Sequence, residues 1–496
     1  MNLAQHLETS AFLFPDRTAV SDQDVEITYA QLEERANRVA TGLIGMGIEP
    51  GDYIGLYAPN SADWIAFYFG VLKAGAIAVT LSWALTQREL ALLLSHCRPR
   101  VIFTHQSKLQ SVQSIRDSAG IEKIICADAD LDMSGLMAAG SACFRSLDRD
   151  RFDTAAILYT GGTTGMPKGV MLPHQGMAFS SWAVSFCERS TEKDRALCFL
   201  PFNHVFGQIH IMNATIMAGG CLELMPSFDL DRVLELMEAG RISKFFAVPT
   251  VYVRLLGVGD LEKRLGVLRY SFSAATSMPM NVVKQWKERT GITIAESLGM
   301  TEAMPLSYNH YHRHRVGSVG QIVPQVEVQI RDLSGNKLPD EEKGEICVRG
   351  PNVMKGYLNN PEATAAAFWD GGWLRTEDIG LFDEERYLYI VDRLKDLIIT
   401  GGENVYPREV EELLYTRPEV EECAVIGLSD DKWGERVTAV IKVRSGHSLA
   451  PEVMTAFLKP SLAPFKVPKE YIIVDELPRS ATGKILKREL RTQFPK

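Results

Sequence analysis

The sequence predicts an α/β protein: a large N-terminal domain of βα-type sheets, closed by a β-rich section, and a small α+β C-terminal domain. Three observations predict it. Short apolar runs alternate with amphipathic segments from Ile27 onward, the pattern of a mainly parallel sheet with crossover helices. From about Gln321 the texture turns to short alternating strands separated by turn residues. At 496 residues the chain is also too long for one core, so two or more domains are expected.

The elements follow in order. Ile27–Gly47 reads as an amphipathic helix ending at glycine, and Tyr53–Tyr57 as a short apolar strand. Trp64–Leu85 is the longest apolar stretch, but Lys73 interrupts it, and Gly70 and Gly75 punctuate it. A helix capped near Ser61 or Asp63, a turn at Gly75 and a buried strand Ala76–Leu81 fit it better than a membrane span. Arg100–Thr104 and Lys123–Ala127 read as two more strands, and Ala155–Leu158 as a buried strand end. V-E-V-Q-I-R-D, G-E-I-C-V-R-G and Y-L-Y-I-V-D-R are the strands of the β-rich section. A helix Pro407–Tyr415, strands Glu422–Gly427, Val437–Val443 and Glu470–Val474, a helix near Pro451–Leu458 and a terminal basic helix make the last unit. The expected division is residues 1–391, a connection at 392–396, and residues 397–496.

Composition limits the function. Hydrophobic content of 46 % and charged content of 23 % are ordinary for a globular protein. A net charge of −9 argues against a nucleic-acid binder, which would usually be basic. The eight cysteines show no metal spacing and read as reduced thiols of a cytoplasmic protein. Neither end carries a targeting or lipidation signal. His310, His312 and His314 alternate with Tyr311, Arg313 and Arg315, with no carboxylate or cysteine beside them, and read as a solvated loop.

The chemistry starts at Tyr159–Val170, Y-T-G-G-T-T-G-M-P-K-G-V, directly after a strand. Its glycines let backbone N–H groups approach a ligand, its threonines add hydroxyl donors, and Lys168 adds a point charge. Such a loop suits a polyphosphate. It is neither a Walker A loop, which needs glycine immediately before the lysine, nor a dinucleotide fingerprint. Six further segments stand in a consistent order: F-N-H-V-F-G (202–207), S-L-G-M-T-E (297–302), G-E-I-C-V-R-G-P-N-V-M-K-G-Y (344–357), W-L-R-T-E-D-I-G (373–380), V-D-R-L-K-D-L-I-I-T-G-G-E-N-V-Y-P (391–407) and L-P-R-S-A-T-G-K-I-L-K-R-E-L (477–490).

Together these segments resemble the adenylate-forming enzymes, most closely single-chain acyl-CoA synthetases, over nearly the whole chain. The resemblance implies an ATP-, Mg²⁺- and CoA-dependent carboxylic acid–CoA ligase with a mobile C-terminal domain. It implies that Thr160, Gly161, Gly162, Thr163, Thr164, Gly165 and Lys168 hold the β- and γ-phosphates. Thr301 would contact the α-phosphate and Glu302 would hold Mg²⁺. Asp378 would take the ribose hydroxyls, and Arg393 the ribose or phosphate. Ala275, Glu296, Ser297 and Leu298 belong to the same nucleotide set. Lys484 would bridge the substrate carboxylate and the α-phosphate. Lys487 and Arg488 read as surface.

Lys395 occupies the hinge position. Gly401, Gly402 and Glu403 would be presented to the thiol, the two glycines leaving a path for pantetheine. Trp433 and Lys466 resemble positions that meet CoA. His204 would line the acid site, with Val205, Phe206, Ser273, Ala274, Met300 and Met304 as pocket walls. These walls are almost uncharged, which favours an apolar aliphatic or aromatic monocarboxylic acid. Two positions depart from the family pattern: Gly161 replaces serine, and Leu298 replaces a tyrosine that covers adenine. The alternatives are an adenylating enzyme that loads a carrier protein and a non-catalytic acyl- or nucleotide-binding relative. A homodimer is also compatible with the resemblance.

Overall fold

A computed structural model describes residues 1–23, 25–126, 129–160, 167–274, 278–479 and 485–494. Among the described residues the strands form four sheets. In the first, Lys123–Ile125, Val101–Thr104, Tyr53–Tyr57, Ile77–Thr80 and Thr154–Thr160 lie parallel. Thr154–Thr160 then turns back antiparallel into Lys168–Pro173. In the second, Ile294–Met300, Tyr270–Ser273, Lys244–Ala247, Arg195–Cys198, Cys221–Leu224 and Thr18–Asp22 are parallel neighbours, with antiparallel strands at both edges. The third is the antiparallel β-rich section, spanning strands from Glu327 to Arg393. The fourth uses only residues from Ile398 to Val474.

Local sequence accounts for the helices that frame these sheets. The helix Tyr29–Gly45 opens on a reciprocal capping box between Thr28 and Gln31. Ser61 caps Ala62–Lys73 by accepting from the Trp64 N–H at 3.1 Å. The two helices touch where Gly70 faces Val39, and a Cβ on Gly70 would stand 2.4 Å from Val39 Cγ1. The lysine inside the apolar run is also explained. Lys73 is fully buried, and its ammonium meets Glu8 at 2.6 Å and Glu33 at 2.8 Å. No helix among the described residues is long and apolar enough to cross a membrane. No disulfide joins the eight cysteines; all but Cys143 are buried, and these fill the core.

The second sheet separates two apolar clusters. Alternation along Tyr270–Ser273 sends Tyr270 and Phe272 to one side and Ser271 and Ser273 to the other. Phe206–Asn213 packs on the Phe272 side and is a π-helix, a form concentrated at functional sites. Lys487, expected at the surface, is 16 % exposed and pairs with Glu411 at 2.7 Å. The terminal helix Lys487–Gln493 thus lies against acids of the small lobe and connection, with Arg491 on Asp396 at 3.0 Å. Arg488 is exposed.

Candidate active site

Three segments far apart in sequence meet at the end of the first sheet. The strand Lys168–Pro173 leaves the glycine-threonine loop, and Gly356–Tyr357 pairs with it at Met171 and Val170. The hairpin of Ile294–Met300 and Ala303–Tyr308 has Thr301-Glu302 as its two-residue tip. Glu302 is 8 % exposed, and the Tyr357 hydroxyl donates to its Oε1 at 2.8 Å. The Glu302 carbonyl accepts from the Met354 N–H at 2.7 Å. The Lys168 ammonium sits 4.7 Å from the centre of the Tyr357 ring. Burial raises the Glu302 carboxyl above its ordinary range, while the Tyr357 hydrogen bond and the Lys168 charge oppose that rise. Tyr357 escaped sequence reasoning as a site residue, although it closes the 344–357 segment.

A second group stands beside the first. Asp378 and Arg393 are register partners, and their side chains pair at 3.1 Å with Asp378 5 % exposed. Thr376 orients this turn by accepting from the Asp378 N–H at 3.1 Å. The residue between them, Glu377, has φ +59°, a backbone state that costs a non-glycine residue energy and gathers at functional positions. Its carboxylate is near enough to raise Glu302 and to hold up the charge of Lys395. Lys395 lies in a 3₁₀ turn, Leu394–Asp396; desolvation and then the neighbouring Arg393 charge lower its affinity for a proton.

The apolar residues fall beside the hairpin. Val205, Phe206 and Met304 are buried; Ala274 and Met300 are half-buried. Phe206 meets Phe272 edge-on at 5.6 Å. Ser273 is buried too, on the face of its strand opposite Phe272. His204 Nδ1 accepts from the Phe206 N–H at 3.2 Å, and burial pushes the imidazole down to about 4, so the ring is neutral at pH 7. Glu296 is buried at the lobe junction, where desolvation lifts it to about 7 against the pull of Arg408. Ser297 is half-buried, and Leu298 is 6 % exposed within the main core.

The small-lobe positions lie apart. Gly401 and Gly402 form the tip of a two-residue hairpin with φ +60° and +86°. Two successive positive φ values make a type I′ turn, which by itself selects glycine. Gly401 donates its N–H to the Trp433 carbonyl at 2.7 Å, and Gly401, Gly402 and Glu403 are all exposed. Lys466 bonds both oxygens of Glu409 at 2.8 Å. Gly161, Gly162, Thr163, Thr164, Gly165, Ala275 and Lys484 lie outside the described residues. Thr160, just before them, pairs with Lys168 across the hairpin.

The site can hold a polyanion at Lys168 and a cation at Glu302, whose Oε2 accepts from no side chain among the described residues. Beside them it offers an acidic acceptor at Asp378 and a group of apolar side chains. Residues 7–358 match the family model described as AMP-binding enzyme, and residues 409–484 match the AMP-binding enzyme C-terminal domain. A long-chain-fatty-acid–CoA ligase of Bacillus subtilis is 33 % identical, over 98 % of this chain and 93 % of the relative. A feruloyl-CoA synthase of Amycolatopsis is 35 % identical, over 98 % and 97 %. The crystal structure of ATP-bound MatB from Rhodopseudomonas palustris superposes with a TM-score of 0.95 at 35 % identity, covering 100 % of this chain and 99 % of that one.

Proposed function

The chain belongs to the AMP-binding enzymes, as an acid–thiol ligase of the acyl-CoA synthetase type that uses ATP and CoA, and from that premise we propose how its residues divide the reaction and which acids it takes. In the first step a carboxylate oxygen attacks the α-phosphorus of ATP. The bond to the β-phosphate bridge breaks and pyrophosphate leaves. In the second, the CoA sulfur attacks the acyl carbon after losing its proton, and AMP leaves. Both reactants of the first step are anions, so its transition state needs cations and oriented donors.

Lys168 and the glycine-threonine loop hold the β- and γ-phosphates. Thr301 meets the α-phosphate, and Lys484 bridges it to the carboxylate. Glu302 would hold Mg²⁺, which neutralises phosphate charge when bound. Asp378 takes the ribose, with Arg393 steadying it. Glu296, Ser297, Leu298 and Ala275 border the adenine. Residues 1–391 and 397–496 act as two domains about the 392–396 hinge, where Lys395 absorbs the backbone change. In the second half-reaction Gly401, Gly402 and Glu403 line the thiol path. Trp433 and Lys466 stand toward the CoA nucleotide, and Lys466 leaves Glu409 to do so.

His204, Val205, Phe206, Ala274, Met300 and Met304 surround an apolar monocarboxylic acid, aliphatic or aromatic. The neutral His204 supports this, because it adds no charge that would select a second carboxylate. The observation that carries the reading is the convergence of Lys168, Tyr357 and Glu302 from three separated segments. Pyrophosphate release and CoA consumption across a panel of aliphatic and aromatic acids test it. Acid-dependent release with CoA consumed in equal amount is expected. Release without CoA consumption would instead favour loading of a carrier protein.

A further inference from the structure

The strand Leu388–Arg393 holds Asp392 to the large lobe, where Asp392 is the register partner of Ile379. Its carboxylate reaches across the connection. Oδ1 accepts from the Arg393 N–H at 2.7 Å, and Oδ2 from the Arg408 N–H at 2.8 Å. Arg408 is the second residue of the helix Pro407–Leu414, whose own cap residue, Tyr406, makes no side-chain cap bond. Asp392 therefore caps a small-lobe helix from a large-lobe strand, and its charge meets the positive end of the helix dipole. Asp392 is 7 % exposed. A buried ionised acid is stable only beside a cation or several donors.

Lys487 is the cation. Its ammonium meets Glu411 Oε1 at 2.7 Å, one turn further along the same helix, and that oxygen also accepts from the Val425 N–H at 2.7 Å. Burial raises the Asp392 carboxyl, and the Lys487 charge is the largest influence opposing that rise. Burial also weakens the hold of Lys487 on its proton, but Glu411, Asp392 and Asp396 more than restore it. One further contact joins the lobes: the Lys343 ammonium lies 4.9 Å from the centre of the Tyr406 ring. Lys487 stands three residues after Lys484 in the chain, and between them the Leu486 N–H donates to the Pro478 carbonyl at 2.8 Å.

These partners divide unequally about Lys395. Asp396, Glu411, Val425 and Lys487 all follow it, so their contacts travel with the small lobe if that lobe turns. Asp392 precedes it and is held in a large-lobe sheet, so its bond to Arg408 and its attraction to Lys487 are specific to the pose described. We propose that Asp392 and Lys487 form a latch across the connection that holds the small lobe, and with it Lys484, in place for the first half-reaction. Both are positioning residues. This rests on the two-lobe ligase reading and adds the pair that selects one pose. Removing the charge of either partner leaves the other buried and less well paired in that pose, which shifts the population away from it.

The test uses the full-length enzyme with Asp392→Asn, which keeps an acceptor for the helix and removes the charge, and with Asp392→Ala, Lys487→Met and Lys487→Arg. Octanoic and benzoic acids drive ATP–pyrophosphate exchange, which reads the first half-reaction. Octanoyl-AMP and benzoyl-AMP with CoA read the second. Asp392→Asn and Lys487→Met should each slow exchange at least about fivefold and change the second step less than about twofold. Asp392→Ala should go further, and Lys487→Arg should retain most of the exchange. A merely structural role would lower both half-reactions together. Spin labels at E384C and K459C, in a C143S background, read the pose with no acid present: Asp392→Asn should move weight away from the separation that dominates in its absence. Equal loss in both half-reactions, or unchanged exchange and unchanged separations in Asp392→Asn and Asp392→Ala, overturns the latch while the ligase reading stands. If the wild type uses neither acid, the separations alone decide the latch, and the wider acid panel decides the ligase reading. If Lys487→Met does not fold, the Asp392 variants decide.

Discussion

Leu298 shows how one side chain limits what a substitution can do. A tyrosine stacked on adenine contributes about 0.5–1.5 kcal/mol beyond its area. Leu298, however, is buried in the main core, on a strand paired to Ser307. Overpacking such a position costs about 1–3 kcal/mol. Leu298→Tyr is therefore expected to lower unfolding stability by that amount and to leave ATP affinity no tighter. Denaturant unfolding and ATP titration check both halves. The buried histidines set a second expectation. His6, His174 and His204 are each pushed down to about 4 by burial, below the unfolded value near 6.5. Their contribution to stability is full above pH 6.5 and is lost as pH falls toward 4. Glu296, raised to about 7, has the opposite sign: its contribution is full below its unfolded value near 4.5 and is lost as pH rises to 7. Between pH 4.5 and 6.5 these four groups together release about two protons on folding. Stability should therefore fall on acidification by up to about 3 kcal/mol per pH unit. Unfolding free energies against pH measure the slope, and His174→Gln should reduce it by about one proton.

At the level of elements, the hairpin at Gly401-Gly402 carries two demands on the same residues. The turn requires positive φ, and the proposed thiol path would require no side chain. A Cβ on Gly402 would meet nothing within 4 Å, so a side chain there strains only the backbone in the conformation described. Gly402→Leu should cost about 1–2 kcal/mol of stability through that strain. It should spare acyl-AMP formation and slow thioester formation at least about tenfold by filling the path. Separate assays of the two half-reactions distinguish this from a general loss. The parallel strands, the Ser61-capped helix and the β-rich section were legible because apolar period, caps and turns are local signals. The buried ion pair of Glu188 with Lys244, 2.9 Å apart, was hidden because its two residues come from separate elements and carry no local motif. Lys487 read as surface because its partners Glu411 and Asp392 lie far away in sequence. The π-helix at Phe206–Asn213 has no signature that separates it from an ordinary apolar helix.

For the whole molecule, the proposed reading has the small lobe present different faces in the two half-reactions. In the pose described, Arg408 crosses the connection: its N–H donates to Asp392 at 2.8 Å and its guanidinium to the Ile390 carbonyl at 2.9 Å. Gly401, Gly402 and Glu403 are exposed in that pose. Arg408→Ala should loosen this pose and lower the adenylation rate several-fold more than the rate of thioester formation from supplied acyl-AMP. Equal effects on both would place Arg408 outside the conformational change. The central claim is that a carboxylate oxygen attacks the α-phosphorus of ATP before CoA enters. It is tested most directly with a carboxylic acid labelled with ¹⁸O in its carboxyl group, incubated with the enzyme, ATP and CoA. Mass spectrometry should find one labelled oxygen in AMP for each thioester formed. Label in inorganic phosphate, or none in AMP, would contradict the account.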